Sequence, residues 1–415
     1  MSLLIENARL LTLAGPRPRT GRELSELSVI SRGHVLVRDG LIAAVGPGRL
    51  ADVPDGTTVI DADGRVLMPG FVDAHTHACW AGDRLDEWEQ KQAGATYLEI
   101  LEAGGGIMST VRHTREASED ELTTALVERL AAMRRGGTTS VEVKSGYGLT
   151  TQAELTMLRA IRRAGELSPV TVTPTACIAH AIDPDHAGGR DGFLREVRED
   201  TLPAVAEEFP GIALDAYCEN GAWSLEEVVG LYERAAELGH PLRVHSDQFN
   251  ELGMTEWALE HGVRSVDHLE ATSPPLLDTL ARSDCYGVIL PCSGFHVDGR
   301  YADARRFVDA GGRLVLGTNY NPGSSPCHSM PMAIALAVRE LKLTAAEAIV
   351  ASTLNAAELL GHDDRGSLQP GLRADLVLLR HRDERQLGYE FGSDPVLACW
   401  CGGEPDPSLL ETLSA

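Results

Sequence analysis

The sequence predicts a (β/α)8 barrel carrying a small composite β domain built from both termini. Three observations carry this fold class. Short apolar runs alternate with amphipathic segments through the middle of the chain, both flanks alternate apolar and polar residues between turn signals, and polar side chains recur where the central runs end. In residues 1–65 the runs Ser2 to Leu10, His34 to Val37 and Leu41 to Val45 are divided by Asp39-Gly40 and Asp63-Gly64. A β unit this small has too little core to stand alone. Residues 360–415 offer a partner with the same short alternation, in Gly366-Ser367-Leu368, the turn Gln369-Pro370-Gly371 and the run Ala374 to Leu379. The barrel is expected over 66–359, with strands at Val66–Asp73, Thr139–Val143, Val170–Ala176, Ile212–Cys218, Leu242–Val244, Ser265–Asp267, Tyr286–Leu290 and Leu314–Gly317. Apolar spacings of three and four predict helices within Glu121–Arg135, Ala153–Ala164, Leu225–Leu238 and Ala302–Ala310.

Composition narrows the function. A formal net charge of −24, from 37 basic and 61 acidic residues, opposes nucleic acid and anionic membrane, so an anionic substrate must meet a local cation. The eight cysteines are scattered, with no Cys-x-x-Cys, which fits a reducing compartment. The start Met1-Ser2-Leu3-Leu4-Ile5-Glu6 lacks the basic region of a signal peptide, and no apolar run approaches the ~18 residues of a membrane span. A cytoplasmic protein is expected, with a homodimer as the commonest assembly.

In Pro69-Gly70-Phe71-Val72-Asp73-Ala74-His75-Thr76-His77 an apolar run ends in two histidines one residue apart. Residues i and i+2 of an extended chain point the same way, so His75 and His77 can aim at one ion. The alternative is a pair on a polar loop, and imidazole suits Zn, Fe, Ni and Cu alike. Reading the strand ends in turn adds Lys144 with Tyr147, His180, Glu219, His245, His268 and Asn319. Five of the 14 histidines therefore fall on one face of the predicted barrel, the face where such barrels carry their chemistry. A metal held by His75, His77 and His245 with an open position is a hydrolytic arrangement, because the ion acidifies water and polarises a carbonyl. His268 could bond that water or an oxyanion, or be a structural histidine bonded to Asp267 or Glu270. The fourth strand ends in Cys218-Glu219, without the modifiable lysine that would bridge a second ion, so one metal is expected.

These motifs, with Asp267-His268-Leu269-Glu270 and Gly371-Leu372-Arg373-Ala374-Asp375-Leu376, resemble the amidohydrolase superfamily. A closer likeness, to members that open a carboxylate-bearing imidazolone ring, rests on further blocks: Glu102-Ala103-Gly104-Gly105-Gly106-Ile107, Lys144-Ser145-Gly146-Tyr147-Gly148-Leu149, Ala179-His180-Ala181, Asn321-Pro322-Gly323-Ser324-Ser325 and Tyr389-Glu390-Phe391-Gly392. The resemblance implies one zinc or iron ion per chain, attack of hydroxide generated at that ion on the ring carbonyl, and a small anionic substrate. It implies His75, His77, His245 and the position of Asn319 as the metal set, and Arg84, Tyr147, His180, Gln248, Asn321, Gly323 and Ser324 as the substrate pocket. Beside that, Arg84 offers a planar fork for a carboxylate, or is a solvated surface charge. Tyr147 and His180 can bond ring nitrogens and carbonyl, or are packed polar residues. The main-chain N–H groups of 321–324 could hold an anion, or form a plain turn.

Two positions depart from the family pattern. Asn319 stands where Asp is expected and Gln248 where Glu is common, each replacing a carboxylate by an amide. Asn can coordinate through its carbonyl oxygen but cannot accept a proton, so His268 is left to carry proton traffic, with Gln248 bonding the ring. The alternatives are a relative acting on another cyclic amide or amidine, deaminases included, and a silent binding protein that lost its proton acceptors. The stretch from Trp80 to Gly106 is a long post-strand segment in which Gly104-Gly105-Gly106 is a hinge or a tight packing site.

Overall fold

A computed structural model describes residues 2–94 and 105–408. The first block of strands builds a sheet from both ends of the chain: β1 (Ser2–Leu11), β2 (Val29–Arg38), β3 (Leu41–Pro47), β4 (Thr58–Asp61) and β5 (Val66–Pro69). The eight parallel strands follow: β6 (Phe71–Asp73), β7 (Thr138–Lys144), β8 (Thr171–Ala179), β9 (Ala213–Ala216), β10 (Arg243–Ser246), β11 (Ser265–His268), β12 (Tyr286–Ile289) and β13 (Arg313–Leu316). β14 (Leu376–Leu379), β15 (Val396–Cys401) and β16 (Glu404–Pro405) then return to the first sheet.

The parallel strands form two runs, β6 to β9 and β10 to β13, each in sequence order. Parallel bridges Leu214–Leu242 and Tyr217–His245 join β9 to β10, and the bridge Thr76–Tyr320 joins the continuations of β6 and β13, closing the ring. The helices between strands begin where side chains satisfy their free N–H groups. Ser118 and Glu121 form a capping box, which starts that helix at Glu119, two residues ahead of the apolar periodicity. Thr150 likewise starts the next helix at Thr151, and Asp303 sets the start at Ala304.

Expectation and structure differ at Val66–Asp73, which is two strands rather than one. Val66–Pro69 pairs with β1 on one side and with β14 on the other, while Phe71–Asp73 opens the parallel ring beside β7. Gly70 makes the switch: its N–H goes to Asp375 O at 3.0 Å, and a Cβ there would stand 2.3 Å from the Thr139 side chain. Along β5, β14 and the end of β15 successive side chains turn to opposite faces. Leu67, Leu376, Leu378 and Trp400 enter a small core with Leu3, Ile5 and Val35, whereas Met68, Val377, Leu379 and Cys399 face the large core shared with the helices. Each face is buried, so a one-residue slip would exchange two packed sets.

All eight cysteines are free thiols. Among the described residues no helix is long and apolar enough to cross a membrane.

Gly70→Ala should cost about 1–3 kcal/mol by forcing Thr139 aside. Gly230→Ala, in a helix interior with nothing within 4 Å, should instead gain up to about 1 kcal/mol. Denaturant unfolding of the two variants measures the contrast.

Candidate metal centre and active site

The histidines at or just past the C-terminal ends of β6, β8, β10 and β11 converge, whereas Glu219 beyond β9 accepts from Asn220 N, Phe249 N and Asn250 instead. The rings of His75 and His77 lie 5.4 Å apart, His75 and His245 4.5 Å, His77 and His245 5.2 Å, and His245 and His268 5.4 Å. His180 stacks on His77 at 4.5 Å with planes 11° apart. The five strand-end histidines thus form one cluster.

Its hydrogen bonds decide which nitrogens remain available. His75 Nδ1 meets Asp267 Oδ2 at 2.6 Å, and His245 Nδ1 meets Asp215 Oδ1 at 3.0 Å. With each Nδ1 donating to a carboxylate, each Nε2 presents a lone pair. His75 Nε2 is buried without a hydrogen-bond partner, and His77 Nε2 faces His245 Nε2 at 3.1 Å. One nitrogen from each of the three rings lies within 4.8 Å of the others. Buried, partly orphaned and convergent nitrogen donors fit a metal ion. Burial holds His75 and His77 well below the usual imidazole range, helped for His75 by Lys144 and for His77 by His180, so both rings are neutral, as ligands must be. A second convergent set, Cys177, Asp215 and His245, reuses His245, while the two Asp215 oxygens already serve His245 and Lys144.

The other candidates border this centre. His268 is not bonded to Asp267, which serves His75; its Nδ1 lies 3.3 Å from Glu270 Oε1. His268 and Leu269 have φ of 91° and 73°, and Asn319 has φ of 56°, left-handed conformations that are costly for residues with a Cβ and concentrate at functional sites. Asn319 is buried; its N–H donates to His75 O at 2.9 Å, and its Nδ2 lies 3.5 Å from Ser324 Oγ. Gln248 Oε1 accepts from Tyr217 Oη at 2.8 Å, which leaves its NH2 as the group to offer a ligand. His180 Nδ1 lies 3.1 Å from Gly146 O, and burial, reinforced by His245, lowers its pKa to about 3; as the neutral Nδ1–H tautomer it presents Nε2 as an acceptor. The Tyr147 ring is 5.2 Å from His180 and 6.0 Å from His77, and burial pushes its hydroxyl up, so it stays a neutral donor.

One expectation changes and one alternative falls. The turn at 321–324 does not offer free main-chain N–H groups: Gly323 N and Ser324 N donate to Asn321 Oδ1 at 2.9 and 2.8 Å, while Asn321 Nδ2 donates to Asn319 O at 2.6 Å. Asn321 is the brace of the turn rather than an open ligand. Arg84 is no solvated charge. Its side chain is largely buried, ion-paired to Glu87, and packs against the turn so closely that a Cβ on Gly323 would sit 3.0 Å from Arg84 Nη1. Glu87 also accepts from Gly106 N at 3.1 Å. Of the Glu102–Ile107 block and the Trp80–Gly106 segment, residues 95–104 lie outside the described residues.

Strand-end positions alone do not reveal the groups beneath the cluster: Glu142, Asp215, Arg243 and Asp267, all buried, together with Lys144, which stands out in the sequence only as a strand-end residue. A signal for them is nevertheless present. Charges at every second position of otherwise apolar runs, Glu142 and Lys144 or Arg243 and His245, mark the face of a parallel strand that points into the ring.

The chain has counterparts among known proteins. Residues 66–405 match the model of the amidohydrolase family. The chain belongs to the amidohydrolase family. Over 402 residues, 95% of this amidohydrolase and 94% of the relative, it is 44% identical to an imidazolonepropionase of Herpetosiphon aurantiacus. It is also 44% identical over 393 residues to an imidazolonepropionase of Deinococcus radiodurans, covering 94% and 96% of the two chains. Among solved structures, a triazine hydrolase variant superposes on this amidohydrolase with a TM-score of 0.75 at 18% identity, covering 100% and 98%. An atrazine chlorohydrolase from Arthrobacter aurescens, complexed with zinc, gives 0.72 at 18%, covering 97% and 94%. Those two likenesses concern the fold.

His245→Ala should reduce bound metal to under about a tenth of the wild-type content. Elemental analysis after dialysis, beside circular dichroism to verify folding, measures it.

Proposed function

We propose that this amidohydrolase opens 4-imidazolone-5-propanoate to N-formimidoyl-L-glutamate, the hydrolytic step its imidazolonepropionase relatives are named for. The observation that carries the reading is the convergence of His75, His77 and His245, with His180 stacked on His77, Tyr147 beside His180, and Arg84 against Gly323 of the Asn321–Ser324 turn. One zinc or iron ion per chain, when bound, supplies the Lewis acid that polarises a carbonyl and acidifies water.

The chain's own residues do the rest. Arg84 binds the propionate in competition with Glu87, its ion-pair partner. His180 Nε2 accepts from a ring N–H, and the Gln248 amide, its oxygen fixed by Tyr217, donates to the ring. Tyr147 donates its hydroxyl and closes the wall against water. His268 takes the proton from water as oxygen adds to the ring carbonyl carbon. It returns that proton to the ring nitrogen as the C–N bond breaks, so a carboxylate and a formimidoyl amine are left. Glu270 holds His268 Nδ1 and stabilises the transient imidazolium. Asn319 is positioned by its main-chain bond to His75 and contributes a neutral oxygen rather than a base. Both the acidic surface and the free thiols suit a cytoplasmic enzyme acting on a small metabolite.

Freshly prepared imidazolonepropionate should be consumed with release of formimidoylglutamate, and His268→Ala should lower kcat by about 10²–10⁴ while metal content stays at the wild-type level. Absence of turnover in the metal-loaded wild type would defeat the proposal. Asn319→Asp should add an acid limb to the rate profile, in the carboxylate range near ~4, that the wild type lacks. An unchanged profile would mean that residue 319 does not face the reacting water.

A further inference from the structure

Beneath the metal-binding rings lies a continuous chain of five buried charges. Asp267 Oδ2, bonded to His75, also accepts from Arg243 Nη2 at 2.7 Å. Arg243 Nη1 continues to Glu142 Oε1 at 2.5 Å, and Lys144 Nζ meets the same oxygen at 2.8 Å. Lys144 Nζ then reaches Asp215 Oδ2 at 2.6 Å, and Asp215 Oδ1 holds His245. The path His75–Asp267–Arg243–Glu142–Lys144–Asp215–His245 runs through β7, β9, β10 and β11, crossing the interior of the ring rather than following neighbouring strands. Every side chain in it is at most 3% exposed.

Such barrels ordinarily fill this layer with branched apolar residues. Burying five charges carries a large desolvation cost, and well-packed apolar replacements commonly match or exceed the stability of buried ion pairs. Stability is therefore a poor reason for the arrangement, whereas orientation is a good one. The two ends of the chain grip two different rings by the same atom, Nδ1, which fixes the tautomer and turns both Nε2 lone pairs toward one point. The middle converges on a single oxygen, Glu142 Oε1, which also accepts from Thr175 Oγ1 at 2.5 Å. Arg243 Nη2 further donates to Ala74 O, beside His75, and Lys144 N donates to Thr76 O, on its other side.

We propose that this chain is one positioning relay that couples the His75 ring to the His245 ring, with Lys144 as its central link. Lys144 sets metal affinity while touching neither the ion nor the substrate. The inference rests on the assignment of His75, His77 and His245 as metal ligands and goes beyond it. It also differs in sign from a simple charge effect. Lys144 and Arg243 against Glu142, Asp215 and Asp267 leave a net −1, so deleting a lysine charge alone would draw a cation in more tightly, whereas loosening the rings weakens binding.

The decisive variant is Lys144→Met combined with Glu142→Gln, which cuts the relay at its centre and leaves its net charge unchanged. Apo protein is titrated with Co(II) against a chromophoric chelator, the visible spectrum of the bound ion is recorded, and the melting temperature of each apo form is measured. The wild type should bind about one ion, and the pair variant should bind about 10–100-fold more weakly, with a shifted cobalt spectrum. Lys144→Met alone should also bind more weakly, against the charge expectation. A folded pair variant with wild-type affinity and spectrum overturns the relay alone, and a wild type that takes up no metal overturns the ligand assignment with it. Should the pair variant fail to fold, Ser265→Ala decides. Ser265 Oγ links Arg243 Nε to Asp267 Oδ1 at 2.9 and 2.6 Å, so its loss should weaken cobalt binding several-fold, and unchanged affinity overturns the relay.

Discussion

A ring of eight parallel strands closes only if the first meets the last, and here one buried carboxylate anchors the start of that meeting. Asp73, at the end of β6, accepts from Thr318 N at 3.0 Å and from Thr318 Oγ1 at 2.5 Å, with His75 N at 3.5 Å. Full burial raises its pKa to about 7 against the pull of those donors. Main-chain bonds continue the seam, Asn319 N to His75 O and His77 N to Tyr320 O. The seam therefore fixes His75, His77 and Asn319 relative to one another without using their own side chains, and the positive φ of Asn319 is the local strain accepted for doing so.

Burial also prepares the ligands chemically. A histidine in water near neutral pH is part protonated and must lose that proton to bind a metal. In this cluster desolvation, the neighbouring rings and Lys144 act together to keep His75, His77 and His180 neutral. Asp215 is driven the other way. Burial opposes its charge, but His245 and Lys144 outweigh burial and keep it ionised. Neutral imidazoles above and an ionised Asp215 beneath are the two protonation states that an oriented metal site requires.

Much of this was legible in the residues. Seven of the eight central runs recur as parallel strands with ends shifted by a few residues, because burial on both faces leaves short, nearly continuous apolar runs. The histidines could be found because they fall just beyond those runs. Val66–Asp73 misled because apolar periodicity cannot distinguish one buried strand from two that join different sheets at a glycine; that needs the Thr139 contact. The brace formed by Asn321 was hidden for a related reason: a side chain that folds back on its own turn leaves the same sequence as one that faces a ligand. Arg84 and Glu87 likewise pair only once a helix brings them together.

The single residue at which the chain passes from sheet to ring bears on the order of assembly. β5 is bordered by β1, made early, and by β14, which lies more than 300 positions later in the chain. During synthesis from the N-terminus the strand that leads into His75 and His77 thus keeps one open edge until more than 300 further residues have emerged. An open apolar edge invites foreign pairing, and so the slow, long-range capture of β14 is the event that ends the period of greatest exposure to misassembly.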